Sequence, residues 1–221
     1  MPDAAPLAGP DAPSGAPDHY FSAHPASAAE LRPIRVRLAD RDLTLETARG
    51  VFSPDRLDLG TRVLLAAVPP PPDRGDLLDL GCGWGPVALT LALRSPDARV
   101  WAVDVNERAL DLVRRNAEHL GLPNVHAVTP EGVPADVALA ALWSNPPIRI
   151  GKVALHAMLL RWLRPLPPGA QAHLVVQRNL GADSLQRWLA EELTGTARVL
   201  RAGTAKGFRV LRVDPFGAIA T

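Results

Sequence analysis

Two short stretches hold the residue types from which a reactive site could be built. The first is Leu77-Leu78-Asp79-Leu80-Gly81-Cys82-Gly83-Trp84-Gly85-Pro86, which reads as a buried strand, a glycine turn and the first turn of a helix. Gly81, Gly83 and Gly85 let the backbone turn tightly and let a ligand approach without Cβ collisions. The helix that follows offers N–H groups to a carboxylate or phosphate, and Pro86 sits where a helix tolerates proline. The spacing is G-x-G-x-G, whereas dinucleotide pyrophosphate sites use G-x-G-x-x-G; glycines of this kind also serve close packing alone. Asp104, 21 residues after Gly83 at the end of the next strand, suits the two ribose hydroxyls of an adenosine. Asp79 either accepts from an ammonium group or ties the strand end to the loop backbone. Glu131, shortly past the third strand, is placed to receive an adenine amino group. The second stretch, Ser144-Asn145-Pro146-Pro147, is by its spacing a stiff loop at a strand end, with the Asn145 side-chain oxygen and the Pro146 carbonyl as fixed acceptors.

The elements that must carry these residues follow from hydrophobic period. Ile34, Val36 and Leu38 alternate with Arg35 and Arg37, and Leu43, Leu45 and Thr47 with Thr44 and Glu46, which predicts a β-hairpin with one buried face. After the loop Gly50-Val51-Phe52-Ser53-Pro54, a helix is expected over Leu57–Val68, stopped by four prolines at 69–72. Strands then alternate with helices: strands at 77–80, 100–103, 125–128, 139–143 and 172–176, helices at 86–93, after Asn106, at 152–163 and at 184–193. Asn106 is the expected cap of its helix and Gly121 the expected stop. Two successive strands, 197–200 and 208–213, close the chain. The pattern predicts an α/β fold with a doubly wound, mainly parallel seven-stranded sheet, one antiparallel strand at or near its edge, and an N-terminal β-hairpin extension. The expected divisions are a flexible Pro/Ala-rich tail at 1–17, a hairpin and helix extension at 18–68, and the core at 69–221.

Composition bounds the function. The chain has 221 residues, 47% hydrophobic and 21% charged, with a net charge of +1. That suits one sizeable core and excludes an obvious polycation. The first eighteen residues contain Asp3, Asp11 and Asp18 and no Lys or Arg, so the remainder has 24 basic residues against 20 acidic. This permits a local phosphate-binding face without demonstrating one. Cys82 is the sole cysteine, which rules out an intramolecular disulfide and a Cys-based zinc site. The six histidines show no metal-ligand spacing, and no metal is expected. No apolar run reaches the roughly 18–20 residues of a membrane span, and the N-terminus lacks a signal-peptide pattern, so a cytoplasmic location is expected. Tyr20 and Phe21 arrive together after an aromatic-free tail and either dock on the core or line a substrate mouth.

Asp79-Leu80-Gly81-Cys82-Gly83-Trp84-Gly85 resembles the first motif of class I S-adenosylmethionine-dependent methyltransferases, and Asp104 their acidic ribose position. Ser144-Asn145-Pro146-Pro147 resembles the fourth-strand motif of the members that methylate exocyclic or planar amide nitrogens. Gly50-Val51-Phe52-Ser53 with Leu57-Asp58-Leu59-Gly60-Thr61 resembles the segment before the core in the small-subunit rRNA guanine-N2 methyltransferase family, and the run Asn145 to Lys152 a compact single-domain branch of it. The resemblance implies S-adenosylmethionine as cofactor, held by Asp79, Gly81, Cys82, Gly83, Gly85, Asp104, Val105, Glu131 and Asn145. It implies catalysis by Asn145, Pro146 and Pro147, which fix an amine nitrogen by accepting its hydrogens, and substrate contacts from Phe52, Ile148, Arg149 and Lys152. RNA, either rRNA or a ribosomal subunit, is the implied partner; the oligomeric state is not legible. Relatives that modify nucleic acid often carry an aromatic where this chain has Ile148, which lacks the stacking term of about 1–3 kcal/mol per base. Phe52, Phe21 and Tyr20 are the candidates to replace it. Rival expectations are an N-methyltransferase for a protein glutamine or a small molecule, and a non-catalytic RNA-binding module of the same fold. Pyrimidine C5 methylation is excluded, since it needs a nucleophilic Cys and Cys82 lies inside the glycine turn.

Overall fold

Strands that are apolar on both faces must be covered on both faces, and here they form the middle layer of three. The computed structural model describes residues 30–217; the expected tail at 1–17 and the Tyr20-Phe21 pair lie outside them. The central strands are β3 (Arg74–Leu80), β4 (Asp97–Val103), β5 (Val125–Val128), β6 (Leu139–Ser144), β7 (Gln171–Gln177), β8 (Ala197–Ala205) and β9 (Phe208–Pro215), in sheet order β5-β4-β3-β6-β7-β9-β8. All pair in parallel except β9, which is antiparallel to both neighbours and lies one strand in from the edge, as the closing strand pair implied. Helices α1 (Leu59–Ala67), α2 (Pro86–Arg94) and α3 (Glu107–His119) cover one face. Helices α4 (Lys152–Leu163) and α5 (Ala182–Glu192) cover the other, with Leu155, Leu159, Leu185 and Leu189 buried against Leu78, Leu142 and Leu174.

The chain order reverses at β3. It runs outward through β4 and β5, then returns to add β6 on β3's other side, which leaves a crevice at the carboxyl ends of the strands. Register decides what meets there. Leu80 pairs with Val103 on one side and with Ser144 on the other, so Gly81, Asp104 and Asn145 all leave the sheet at one level. The Ser144 hydroxyl donates to the Leu80 carbonyl at 2.6 Å and ties two of these ends together.

The hairpin forms as its alternation requires. Strands β1 (Arg32–Leu38) and β2 (Arg41–Thr47) pair Ile34 with Leu45 and Val36 with Leu43. Ala39 and Asp40 both take positive φ, 45° and 62°, in the two-residue turn that suits strand twist. Ile34, Leu38 and Leu45 pack with Trp84, Leu89 and Leu112 on the outer side of α2 and α3. Polar anchoring is equally specific. The buried Asn116 side chain accepts from Glu46 N–H at 2.7 Å and donates to the carbonyls of Glu46 and Trp84 at 2.9 and 3.2 Å. Beyond the hairpin, Asn106 Nδ2 donates to Gly50 O at 2.8 Å and Trp84 Nε1 to Ser53 O at 3.1 Å, so the intervening loop is fixed on either side of Phe52.

Helix α1 begins at Leu59, two residues later than its apolar pattern suggested, because Asp58 caps it by accepting the Thr61 N–H at 3.1 Å. Val63, Leu64 and Val68 then enter the cluster that holds Leu77, Val87 and Val175. This helix therefore belongs to the core layer, and packing sets apart only the hairpin and its following loop. No described helix is long and apolar enough to cross a membrane.

Asn116 satisfies three backbone groups at a buried seam. Asn116→Ala is expected to destabilise the protein by about 2–4 kcal/mol, since it strands buried partners as well as losing bonds. Urea unfolding checks the magnitude, and faster amide exchange confined to β1 and β2 would mark the hairpin as the part released.

Candidate active site

The glycine turn is held by the neighbouring strand rather than by its own contacts. The N–H groups of Gly81 and Cys82 both donate to Val103 O, at 2.8 and 3.0 Å. Gly83 N–H donates to Asp104 Oδ2 at 2.9 Å, and Asn106 N–H to Asp104 Oδ1 at 3.0 Å. Asp104 thus braces the turn and lines the cleft beside it. Gly83 has φ +54°, and a Cβ there would project into the gap toward Phe52, whose own Cβ is 4.0 Å away. Gly85 has another task. At φ +100° it caps α2, and a Cβ would stand 3.0 Å from Val113 Cγ2, so it allows α2 and α3 to close together behind the turn.

Asp79 is 1% exposed and lies beneath the turn. Its Oδ2 accepts the Ala88 N–H at 2.9 Å, in the first turn of α2. Burial pushes its pKa up to about 8, against the Ala88 hydrogen bond and with help from the nearby Asp104 charge. Burial also raises Asp104, against three backbone hydrogen bonds. Of the first-turn N–H groups expected to face a ligand anion, Pro86 has none and Asp79 takes that of Ala88, which leaves the Val87 N–H. Beneath the turn lie two buried carboxyl groups, of which Asp79 keeps its proton up to about pH 8.

Above these carboxylates opens a cleft of about 700 Å³, within the usual range of about 300–1,000 Å³ for small-molecule sites. Gly81, Gly83, Asp104 and the exposed Val105 line one half. Asn145, Pro146, Pro147, Ile148 and Arg149 line the other, with Phe52. The halves touch: a Cβ on Gly81 would lie 3.5 Å from Pro147 Cδ and 4.0 Å from Asn145 O. Asp79 and Cys82 line only a narrow recess under the turn, where burial pushes the Cys82 thiol well up and leaves it a small apolar filler. Glu131 is not brought in. Its exposed carboxylate pairs with Arg161 at 2.8 Å, and Pro130 lines the cleft at that turn. Lys152 is exposed at the start of α4, outside the cleft wall, whereas Arg149 lies on it.

The Asn-Pro-Pro loop is preorganised by bonds that sequence reading did not find. Asn145 Nδ2 donates to Asp58 Oδ2 and to Thr61 Oγ1, both at 3.0 Å. Ile148 N–H donates to Pro146 O at 2.8 Å, which leaves that carbonyl one further lone pair. Phe208, Gln177, Leu180 and Met158 also line the acceptor half and were not anticipated. Phe208 carries no signal of its own, because it comes from β9, 63 residues beyond Asn145. Asp58 stood within a stretch singled out for resemblance, with no role attached. A second cavity of about 510 Å³ lies between the hairpin and α3, around the Glu46–Arg115 ion pair, and holds none of the candidate site residues. No group of three His, Cys, Asp or Glu side chains that could hold a metal occurs among the described residues.

A doubly wound sheet with β9 antiparallel, whose switch-point cleft joins a glycine turn and ribose-type acid to an Asn-Pro-Pro strand end, defines the class I methyltransferases. Comparison with known proteins narrows the class. The profile of the family described as "Methyltransferase small domain" matches residues 42–212, and the chain belongs to that family of S-adenosylmethionine-dependent methyltransferases. It is 33% identical over 198 residues to the uncharacterized protein YbxB of Bacillus subtilis, covering 88% of this chain and 97% of that protein. It is 35% identical over 181 residues to ribosomal RNA small subunit methyltransferase C of Pseudomonas aeruginosa, covering 78% of this chain and 51% of the relative. The chain thus spans about half the length of that relative. The solved Thermus thermophilus 16S rRNA N2 methyltransferase, in complex with AdoMet and guanosine, shares the fold with a TM-score of 0.71 at 23% identity, over 86% of this chain and 52% of that one.

The raised Asp79 pKa carries a sign. The folded protein keeps this proton up to about pH 8, whereas an ordinary carboxyl releases it near 3.8. Stability from this group is therefore complete below the ordinary value and is lost as pH rises through the folded one. Asp79→Asn keeps an acceptor for Ala88 and is expected to flatten that loss. Thermal melts of both proteins at pH 6 and pH 9 check it, the variant losing less Tm between the two.

Proposed function

We propose that this protein methylates the exocyclic N2 of a guanine in rRNA, with S-adenosylmethionine as donor. The observation that carries this reading is the placement of Asn145-Pro146-Pro147 against Gly81 in one cleft, with the Asn145 amino group engaged by protein and its oxygen left to accept. The names of the ribosomal RNA relatives and of the guanosine-bound structure support the choice of acceptor.

The residues present fit the donor. A sulfonium with an ammonium group is cationic, and Asp79 and Asp104 are buried carboxylates whose ionised forms gain from a positive neighbour. Bound there, S-adenosylmethionine supplies a methyl group on a positively charged sulfur, which departs as a neutral thioether. Asp104 is assigned to the ribose hydroxyls, Val105 to the adenine face and Asp79 to the ammonium end.

An exocyclic amine is a poor nucleophile because its lone pair is delocalised into the ring. Asn145 Oδ1 and the free lone pair of Pro146 O are placed to accept its two hydrogens and so hold its lone pair toward the donor half. The amine gains the methyl group and sheds one proton to the solvent at the cleft mouth. Neither amide oxygen is basic enough to be the final proton carrier, so the rate comes from positioning and a prearranged dipole. Phe52 and Ile148 are assigned to the base, and Arg149, with Lys152 further out, to the flanking phosphates.

Asn145→Ala is expected to bind S-adenosylmethionine as the wild type does by calorimetry, while kcat falls by about 100-fold or more. Asp104→Ala is expected to weaken cofactor binding by at least about 10-fold, the scale of one lost charge-assisted hydrogen bond. The acceptor is tested by incubating labelled S-adenosylmethionine with total RNA from a strain lacking the gene, followed by nucleoside mass spectrometry. N2-methylguanosine in rRNA is the expected product. Label in protein or in a small molecule would overturn the acceptor, and absence of cofactor binding would point to a non-catalytic RNA-binding module.

A further inference from the structure

We infer that Asp58, seconded by Thr61, is a positioning residue that decides which way the Asn145 amide faces. The inference rests on the methyltransferase reading of the cleft. An amide's oxygen and amino group have nearly the same shape, so an unrestrained Asn at a cleft wall presents either one. Only the oxygen can accept from an amine. Asn145 Nδ2 has two hydrogens, and both are engaged, with Asp58 Oδ2 and Thr61 Oγ1 at 3.0 Å. A carboxylate accepts and never donates, so the flipped amide would set oxygen against oxygen at Asp58, whereas the Thr61 hydroxyl can serve either orientation; the choice therefore lies with Asp58. Among the described residues nothing donates to Asn145 Oδ1, which is thereby left for the acceptor.

The clamp itself is rigid. Asp58 Oδ2 also accepts the Thr61 N–H at 3.1 Å as the cap of α1, and Asp58 O accepts the Arg62 N–H at 3.0 Å. The helix behind it is anchored by Val63 and Leu64 in the core. Gly60 completes the arrangement. A Cβ there would lie 2.9 Å from Asp58 Oδ2 and 2.9 Å from Phe208 Cε1, so the absence of a side chain lets the ring close over the cap. Asp58, Gly60 and Thr61 thus act on a residue more than eighty positions later in the chain.

Capping and positioning are separable by substitution. Serine caps a helix but is one bond too short to reach Nδ2, whereas asparagine both caps and keeps an oxygen at the right reach. Asp58→Ser is expected to lower kcat by about 10–100-fold with the Kd for S-adenosylmethionine within about twofold of wild type, and Asp58→Asn to restore kcat to within about threefold. Equal, wild-type-like kcat in both variants would reduce Asp58 to a cap and overturn the inference. If the serine variant fails to fold, Thr61→Val removes the second acceptor at constant volume and is expected to lower kcat by about 3–10-fold; no change would overturn the pair's role. Hydrogen exchange of the ¹⁵N-labelled Asn145 side-chain amide in the full chain reads the clamp without turnover, with protection expected in wild type and lost in Asp58→Ser. A wild-type protein that protects this amide but methylates no guanine would defeat the proposed function and leave the clamp standing. An unprotected amide in an active wild type would defeat the clamp alone.

Discussion

The common exit level of β3, β4 and β6 is the constraint on which the site depends. Leu80, Val103 and Ser144 are direct neighbours across two parallel ladders, so the three loops that follow begin side by side. Slipping one strand by a residue would turn its side chains over and move its loop by a strand's rise. The buried apolar positions resist that slip, because Leu78, Leu80, Leu142 and Leu174 face the α4–α5 layer while Leu77, Ala141 and Val175 face the α1–α2 layer. The hydrogen bonds from Gly81 and Cys82 to Val103, and from Ser144 to Leu80, then close the ends of the ladder. Packing sets the register, and the register sets the chemistry's geometry.

Around that frame, side chains from distant parts of the chain fasten loops that could not hold themselves. Asn106 and Asn116 bind the hairpin and the loop after it to α2 and α3, and so carry Phe52 to the cleft wall. Asp58 and Thr61 fasten the Asn-Pro-Pro loop from the opposite side. Each such bond is modest alone, but each replaces a buried or half-buried group's bond to water, and removing one partner strands the other. The site is thus rigid through polar contacts between segments rather than through strength within any loop.

Electrostatics gives the two halves different characters. The donor half lies over Asp79 and Asp104, whose protons burial makes harder to remove and which a positive neighbour would help to ionise. The acceptor half holds the Asn145 and Pro146 oxygens, the Asp58 carboxylate that anchors Asn145, apolar walls and the exposed Arg149.

Much of this was legible in the chain. Hydrophobic period located the hairpin and the alternating strands and helices, because burial on one face or both leaves a local imprint. The helix over 152–163 has the bounds its pattern predicts, and Asn106 caps α3 as its residue type suggests. The glycine turn, Asp104 and Asn145 were readable as chemistry since each stands at a strand end with the right donors or acceptors. What period and spacing left open was direction. Asp79 turned inward to α2, Glu131 turned outward to Arg161, and Phe208 joined the cleft from β9. Those outcomes depend on contacts between residues far apart in sequence, which no local pattern records. The sequence by itself determined that a glycine turn and a stiff Asn-Pro-Pro loop stand at strand ends. Tertiary structure alone decided that they face each other, and that Asp58 leaves the Asn145 oxygen free to accept, because only the folded sheet brings residue 58 within hydrogen-bond reach of residue 145.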